Sequence, residues 1–389
     1  MSYSKIADYV EKQIKGLWGT DFDDNGIPVI KTNNLTYEGI IDYSDICKRN
    51  IDPKQAQNNY LQKGDLLIEK SGGTKTHSVG YVSYFDEEND KYLCNNFILA
   101  LRPKHKEINS KYLFYQIQFK YESNQFSDCF NKTTGIQNLK VSDYLNKEIK
   151  VPDIKKQNDI VLQLDKTRDV ITKNKALLEK YDILIKSRFI EMFGDPVQNP
   201  MGWEVKKLCD WCTKVTDGTY DTPPRYSSGV LLLTGKNIRA DHIDFSEVEY
   251  VSEEDHKIIY ERCNPELGDV LYTNIGVNYG TAVLNTLDYP FSMKNIALLK
   301  PKHSLLSGYY LWFVLNLLRT KILDEHKTGG AQTFMSLATI RNLLIPVPPI
   351  ELQNDFAAFV QQIDKSKFEI WRYLKFSDIM KKIGFRLYD

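Results

Sequence analysis

The sequence predicts an α+β protein. Two tandem, pseudo-symmetric mixed α/β domains are each followed by a long helix, and the two helices pair as an antiparallel coiled coil. Three observations predict this. An apolar ladder with a 3.5-residue repeat runs over 155–193 and recurs over 351–383. The segments that precede the two ladders repeat one another in order. Within each segment, short apolar runs bounded by Gly, Pro and Asn alternate with helical stretches, the pattern of a mixed domain.

In the first ladder Ile160, Leu164, Ile171, Leu178, Tyr181, Ile185 and Met192 follow steps of three and four, with Thr167, Asn174 and Arg188 on the vacant rungs. That spacing belongs to a helix packed along its length against another helix. A second stripe at Val170, Leu177 and Leu184 makes the apolar face wider than a two-helix seam needs. Such a helix is roughly 58 Å long, so it must protrude from an ordinary domain. The second ladder places Phe356, Val360, Ile363, Ile370 and Leu374 on the same rhythm, with Pro349 at its start and Gly384 as a stop. The expected order is a domain over 1–152, a helix over 153–195, a domain over 196–348 and a helix over 349–389. Antiparallel helices would place the domains at opposite ends of a rod, related by a pseudo-twofold axis.

The first segment reads as an amphipathic helix over 4–14, with Ile6, Val10 and Ile14 on one face. Strands follow over 27–30, 66–68, 79–85 and 97–102, then a helix over 111–119 and a closing strand over 149–152. Polar loops fall at 31–34, 70–77 and 133–138. The second segment repeats this series. Asn237 stands opposite Asn34, and Gly268-Asp269-Val270-Leu271 matches Gly64-Asp65-Leu66-Leu67. Residues 298–302 match 100–104, Tyr310-Leu311 matches Tyr112-Leu113, 328–333 matches 133–138, and 345–353 matches 149–157. Six matches kept in order make the chain a tandem duplication.

A chain of 389 residues exceeds what one core usually holds. Lys and Arg number 51 and Asp and Glu number 51, so no overall basic field announces nucleic acid. A DNA-binding chain of this composition needs local basic patches, or a partner that supplies part of the phosphate attraction. No apolar run is long enough to cross a membrane, and the six cysteines lack framework spacing, as expected of reduced thiols in a cytoplasm.

The search for a catalytic centre finds none. Ser71-Gly72-Gly73-Thr74-Lys75 lacks the Walker spacing, and Cys209-Asp210-Trp211-Cys212 lacks a second ligand pair for zinc. Its equivalents in the first copy, Ala7 and Val10, are apolar, so two buried thiols on one helix face is the simpler reading. Asp221-Thr222-Pro223-Pro224-Arg225-Tyr226 is broken as a base-holding methyltransferase motif by Thr222 and Arg225, and the six histidines are scattered.

The loops carry a different chemistry. Asn and Gln can pair with adenine, Lys and Arg with guanine or phosphate, and Ser and Thr with either. The candidate DNA-binding residues of the first copy are Lys31, Asn33, Asn34, Lys70, Ser71, Thr74, Lys75, Thr133, Thr134, Gln137 and Asn138. Those of the second are Lys236, Asn237, Arg239, Asn274, Asn278, Tyr279, Lys294, Lys327, Thr328, Gln332 and Thr333. Loop positions align between the copies while their residues differ, which suits one frame carrying two targets.

The ordered set resembles the specificity subunit of a type I restriction–modification system over essentially the whole chain. The resemblance rests on the domain–helix–domain–helix order, the Gly-Asp strands at 64–67 and 268–271, and the Leu-Arg-Pro and Leu-Lys-Pro ends at 101–103 and 299–301. It rests further on Pro-Pro-Ile-Glu-Leu-Gln at 348–353 and on the run 187–196 that leaves the first helix. The resemblance implies two target recognition domains, each reading one half of a bipartite, asymmetric DNA site, with the paired helices setting the gap. It implies docking of two adenine methyltransferase subunits on the helices, among Ile160, Leu164, Val170, Ile171, Leu177, Leu178, Leu184, Phe356, Val360, Ile363, Ile370 and Leu374. Restriction and translocation subunits join for cleavage. The chain itself would be non-catalytic and hold no metal or cofactor; S-adenosylmethionine, ATP and Mg would belong to partner subunits in a prokaryotic cytoplasm. The rival readings are a self-sufficient DNA methyltransferase or nuclease with degenerate motifs, and a coiled-coil scaffold without a DNA role.

Overall fold

The computed structural model describes residues 2–21, 26–74, 77–133, 136–276, 278–325 and 334–387. Contacts divide the chain into two units, Met1–Asn174 with Tyr373–Asp389, and Lys175–Arg372. Each long helix is therefore shared between units. None of the described helices is long and apolar enough to cross a membrane.

The first unit is built on a four-stranded antiparallel sheet in the order Val10–Ile14, Ile98–Pro103, Leu66–Glu69, Val82–Tyr84. The central strand Leu66–Glu69 is buried on both faces. Leu66 and Ile68 join a cluster with Leu113 and Ile117 of the helix Ser110–Glu122, while Leu67 faces a second cluster with Ile30 and Phe85. This is the period-two alternation of a strand between two layers. A smaller sheet orders Cys47–Arg49, Ile27–Ile30 and Leu93–Cys94, and Ser2–Lys5 pairs with Glu148–Val151.

The second unit has the same plan. Its main sheet runs Cys212–Asp217, Ala297–Pro301, Val270–Tyr272, Ala282–Leu284, and its small sheet Glu249–Val251, Val230–Thr234, Ser292–Lys294. Glu204–Lys207 pairs with Leu344–Val347, and the helix is Gly308–Glu325.

The residues shared by the two copies turn out to build this frame. Gly64 and Gly268 have φ of 96° and 88°, a left-handed turn that only glycine adopts without strain, and His105 and His303 lie over them. The following aspartates are buried. Arg102 donates to Asp65 through Nε (3.0 Å) and Nη2 (2.8 Å), and Lys300 Nζ donates to Asp269 at 2.8 Å. Each aspartate also accepts a backbone N–H from the preceding turn, from Gln62 at 2.7 Å and from Glu266 at 2.8 Å. Tyr112 and Tyr310 donate their hydroxyls to the carbonyls of Lys150 and Pro346, both at 2.7 Å.

The same economy fixes the long helices. The first spans Ile154–Phe193 and the second Ile350–Leu387, so the first is about 60 Å long. Gln157 accepts the Asn109 N–H at 2.8 Å and donates to the Pro152 carbonyl at 2.8 Å. Gln353 accepts the Ser307 N–H at 2.8 Å and donates to the carbonyls of Leu305 (3.1 Å) and Pro348 (2.7 Å). Within the second unit the end of the first helix packs antiparallel on the start of the second. The Phe193 and Phe356 rings lie 5.6 Å apart, and Lys367 reaches Asp182, so running back from 193 corresponds to running on from 356. Gly194, at φ 75°, ends the first helix.

Three sequence expectations are corrected. Residues 4–14 do not form a helix: the strand Ser2–Lys5 leads through one 3₁₀ turn, Ile6–Tyr9, into the strand Val10–Ile14. A step of four residues is common to a helical face and to strand alternation, so Ile6, Val10 and Ile14 could not discriminate, and pairing with Ile98–Pro103 decided. Cys209 and Cys212 do not share a helix face, because the helix is a single turn, Leu208–Trp211, and Cys212 opens the next strand; Cys212 is buried and Cys209 half-buried. The loop expected over 133–138 is the end of a hairpin, Phe130–Thr133 with Ile136–Leu139.

Truncating Gln353 to Ala leaves one N–H and two carbonyls without their partner in a buried junction. Chemical denaturation should show a loss of about 2–3 kcal/mol; a loss below about 0.5 kcal/mol would mean that water replaces the amide.

Candidate nucleic-acid interface

In the first unit the candidate residues fall on three segments that the fold brings partly together. Ser71–Gly72 leaves the central strand and pairs with Ile136–Leu139, setting Asn138 opposite Ser71 and Gln137 opposite Gly72. The Ser71 hydroxyl donates to Asn138 Oδ1 at 2.7 Å. Gln137 is turned to the loop, accepting the Val79 N–H at 3.2 Å and donating to the Thr74 carbonyl at 3.4 Å. Ile136 stands out from this small sheet at 57% exposure. The first loop reaches the second through Tyr37, whose ring stacks on His77 at 3.8 Å. Asn33 is exposed, and Lys31 is held by Asp45 at 3.1 Å.

The second unit gathers its residues around the hairpin that joins Val270–Tyr272 to Ala282–Leu284. Asn278 donates to the Gly235 carbonyl at 3.0 Å, tying this hairpin to the turn Gly235–Asn237. Exposed Lys236 rides on that turn. Lys294 reaches the Thr222 hydroxyl and so fastens the Pro-Pro loop beside it. Arg239 is committed to Asp244 at 2.9 Å and to the Lys236 carbonyl at 2.7 Å.

Two expected base readers are loop builders instead. Asn34 accepts the Lys31 N–H at 2.8 Å and donates to the carbonyls of Asp42 (3.0 Å) and Asp45 (3.1 Å). Asn237 accepts the Thr234 N–H at 2.9 Å and donates to the carbonyls of Asp244 (3.0 Å) and Glu247 (2.9 Å). Both are buried, and with both amide hydrogens spent on backbone carbonyls neither has a donor left for a base. Their identity in the two copies reflects a shared loop. Asn274 and Tyr279 are also buried rather than on the surface. Lys75, Thr134, Lys327, Thr328, Gln332 and Thr333 lie outside the described residues, and Thr133 ends the strand Phe130–Thr133.

Sequence reasoning missed Glu69, Tyr37 and His77. Glu69 ends the central strand with its carboxyl against Gly72 and Gly73, and burial raises it above the ordinary carboxylate range. Gly72 has a φ of 137°, a backbone conformation that strains any other residue, so glycine is favoured there whatever the space. Position in the strand, visible only after pairing, is what singles Glu69 out. Among the described residues no group of His, Cys, Asp and Glu is arranged to hold a metal.

The helix faces divide. Ile160, Leu178, Phe356, Val360, Ile363 and Leu374 are buried within this chain, so they are not docking residues for another subunit. Their rungs are the seam and the domain contacts. Leu164, Ile171 and Ile370 are half-buried. Val170 is 39% exposed in the first unit, and Leu177 and Leu184 are 38% and 45% exposed in the second.

The family model described as the type I restriction modification DNA specificity domain matches the chain twice, over residues 4–180 and 200–375. The putative type I restriction enzyme MjaX specificity subunit of Methanocaldococcus jannaschii is 23% identical over 171 residues, which are 42% of this chain and 40% of that protein. The MjaVIII specificity subunit of the same organism is 23% identical over 293 residues, 70% of this chain and 68% of that protein. The chain thus spans less than half the length of the first relative and about two thirds of the second. The crystal structure of a type I restriction–modification S subunit from M. genitalium matches with a TM-score of 0.63 at 16% identity, covering 98% of this chain and 94% of that one, a likeness of fold. Carrying two copies of the domain over most of its length, the chain belongs to the type I restriction modification DNA specificity family.

Proposed function

We propose that this chain is the sequence-reading subunit of a type I restriction–modification complex, each unit reading one half of a bipartite DNA site. The observation that carries this reading is the division of labour within the repeat. Paired residues such as Asp65 and Asp269, Gln157 and Gln353, and Asn34 and Asn237 build the frame. At the loop positions the copies part, Lys70-Ser71-Gly72-Gly73 standing against Asn274-Ile275-Gly276-Val277. One frame with two sets of contacts suits an asymmetric pair of half-sites.

The long helices serve as the spacer between half-sites. The open stripe Val170, Leu177 and Leu184 receives helices of two adenine methyltransferase subunits, in the manner of a bundle seam. Those partners hold S-adenosylmethionine, restriction and translocation subunits bring ATP and Mg, and this chain contributes recognition without catalysis. The balanced charge fits a subunit whose partners share the phosphate contacts.

Purified chain incubated with labelled S-adenosylmethionine and DNA should transfer no methyl group until methyltransferase subunits are added; transfer by the chain alone would overturn the adaptor reading. Val170→Glu with Leu184→Glu should weaken co-purification of the methyltransferase by about tenfold or more while leaving the chain folded, since both side chains are exposed. Inserting about one helical turn, roughly 5.4 Å, near Asn174 should lengthen the gap in the methylated sequence and keep both half-sites; methylome sequencing reads this out, and an unchanged gap would place the spacing elsewhere.

A further inference from the structure

Buried polar side chains without hydrogen-bond partners are rare in folded proteins, and each calls for a reason. Among the described residues seven such atoms occur, and four belong to one hairpin tip of the second unit: Thr273 Oγ1, Asn274 Nδ2 and Oδ1, and the Tyr279 hydroxyl. Thr273 and Asn274 are 0% exposed and Tyr279 is 7% exposed. The tip itself is well built. Thr273 N donates to the Thr281 carbonyl at 2.9 Å, Gly280 N to the Thr273 carbonyl at 2.8 Å and Met335 N to the Asn274 carbonyl at 2.9 Å. These backbone groups are paired while the side chains beside them are not.

The first unit holds an under-satisfied group at the equivalent place. Glu69 N donates to the Tyr81 carbonyl at 3.2 Å, Gly80 N to the Glu69 carbonyl at 2.9 Å and Leu139 N to the Lys70 carbonyl at 2.8 Å, so 69–70 occupies the position of 273–274. Glu69 is 7% exposed, and its carboxyl accepts a long 3.4 Å bond from the Gly73 N–H; among the described residues it has no ion-pair partner. Two copies that differ in sequence here thus agree in keeping polar side chains buried and poorly paired at the end of the same strand. A structural role would favour paired or apolar residues at these positions, because an unpaired buried polar group costs stability. A partner that arrives with the ligand accounts for both.

We propose that these strand ends are sequence-determining positions of the two units, Asn274 with Thr273 in one half-site and Glu69 in the other. This rests on the DNA-recognition reading and deepens it. An Asn amide offers one donor and one acceptor edge, the complement of adenine N6 and N7, whereas a carboxylate accepts from the amino group of cytosine or adenine. Reaching a base requires the hairpin tips to open. They carry left-handed glycines where that movement falls, Gly72 and Gly73 in one unit, Gly276 and Gly280 in the other. A Cβ on Gly276 would meet nothing within 4 Å, so that residue is glycine for its backbone and not for want of space.

The test uses the full chain assembled with its methyltransferase subunits, which share the phosphate contacts. Selection from a randomised duplex pool first defines both half-sites of the unaltered protein. Asn274→Leu, Thr273→Val and Glu69→Gln are then measured for binding to selected and scrambled duplexes and for thermal unfolding. Asn274→Leu and Thr273→Val should raise Tm, weaken the selected duplex by about tenfold or more and relax preference in one half-site only. Glu69→Gln should relax the other half-site, and scrambled-duplex affinity should stay unchanged throughout. Unchanged affinity for the selected duplex in all three variants would overturn the inference. So would a lowered Tm with equal loss on both duplexes, the mark of a structural role. If the unaltered chain selects no sequence at all, the recognition reading itself falls; if it selects one that the variants read equally well, only this inference does.

Discussion

A carboxylate closed off from solvent, at the start of a strand buried on both faces, holds each unit together. Asp65 and Asp269 sit where the chain turns into the sheet centre, each gripping a cation on the neighbouring strand, Arg102 or Lys300. The pairing sets the register between the central strand and its partner and also satisfies the turn that precedes it. Removing one member of such a pair strands the other charge in the interior, at a cost of about 3–5 kcal/mol. The left-handed glycine before each aspartate belongs to the same device, since it aims the carboxylate inward.

From this anchor the frame extends to the helices. Tyr112 and Tyr310 bind the closing strand, and Gln157 and Gln353 bind the first turn of each long helix to the domain before it. Most of the stability of such a helix in a folded protein comes from the packing of its apolar face. Its ends are held by buried Gln junctions and aromatic packing, as with Phe189 and Phe193 against Tyr310 and Phe356. What these contacts do not cover is Val170, Leu177 and Leu184, which stay exposed on the first long helix.

The hairpin tips follow the opposite rule. Where the frame pairs Asp65, Asp269, Gln157 and Gln353 with partners inside their own unit, the hairpin tips beyond the central strands leave Thr273, Asn274, Tyr279 and Glu69 poorly matched. Such mismatches at the same address in two copies mark the place where function outweighs local stability.

The duplication, the long helices and their bounds to within a few residues were legible in the sequence, because a 3.5-residue ladder and an ordered series of matches arise from local spacing. The Gly-Asp strands were legible for the same reason. The tertiary structure decided what spacing leaves open. The four-residue step of Ile6, Val10 and Ile14 serves helix and strand alike, and only pairing with Ile98–Pro103 made it a strand. The residue types that read bases are also those that build polar turns, so Asn34 and Asn237 looked like readers until their amides were found spent on backbone. Glu69 had no signal in sequence at all, since a carboxylate becomes conspicuous only when folding buries it with no cation beside it among the described residues. Local periodicity determined the architecture; burial and pairing, which depend on residues far apart in the chain, decided which polar side chains hold the frame and which are left poorly paired.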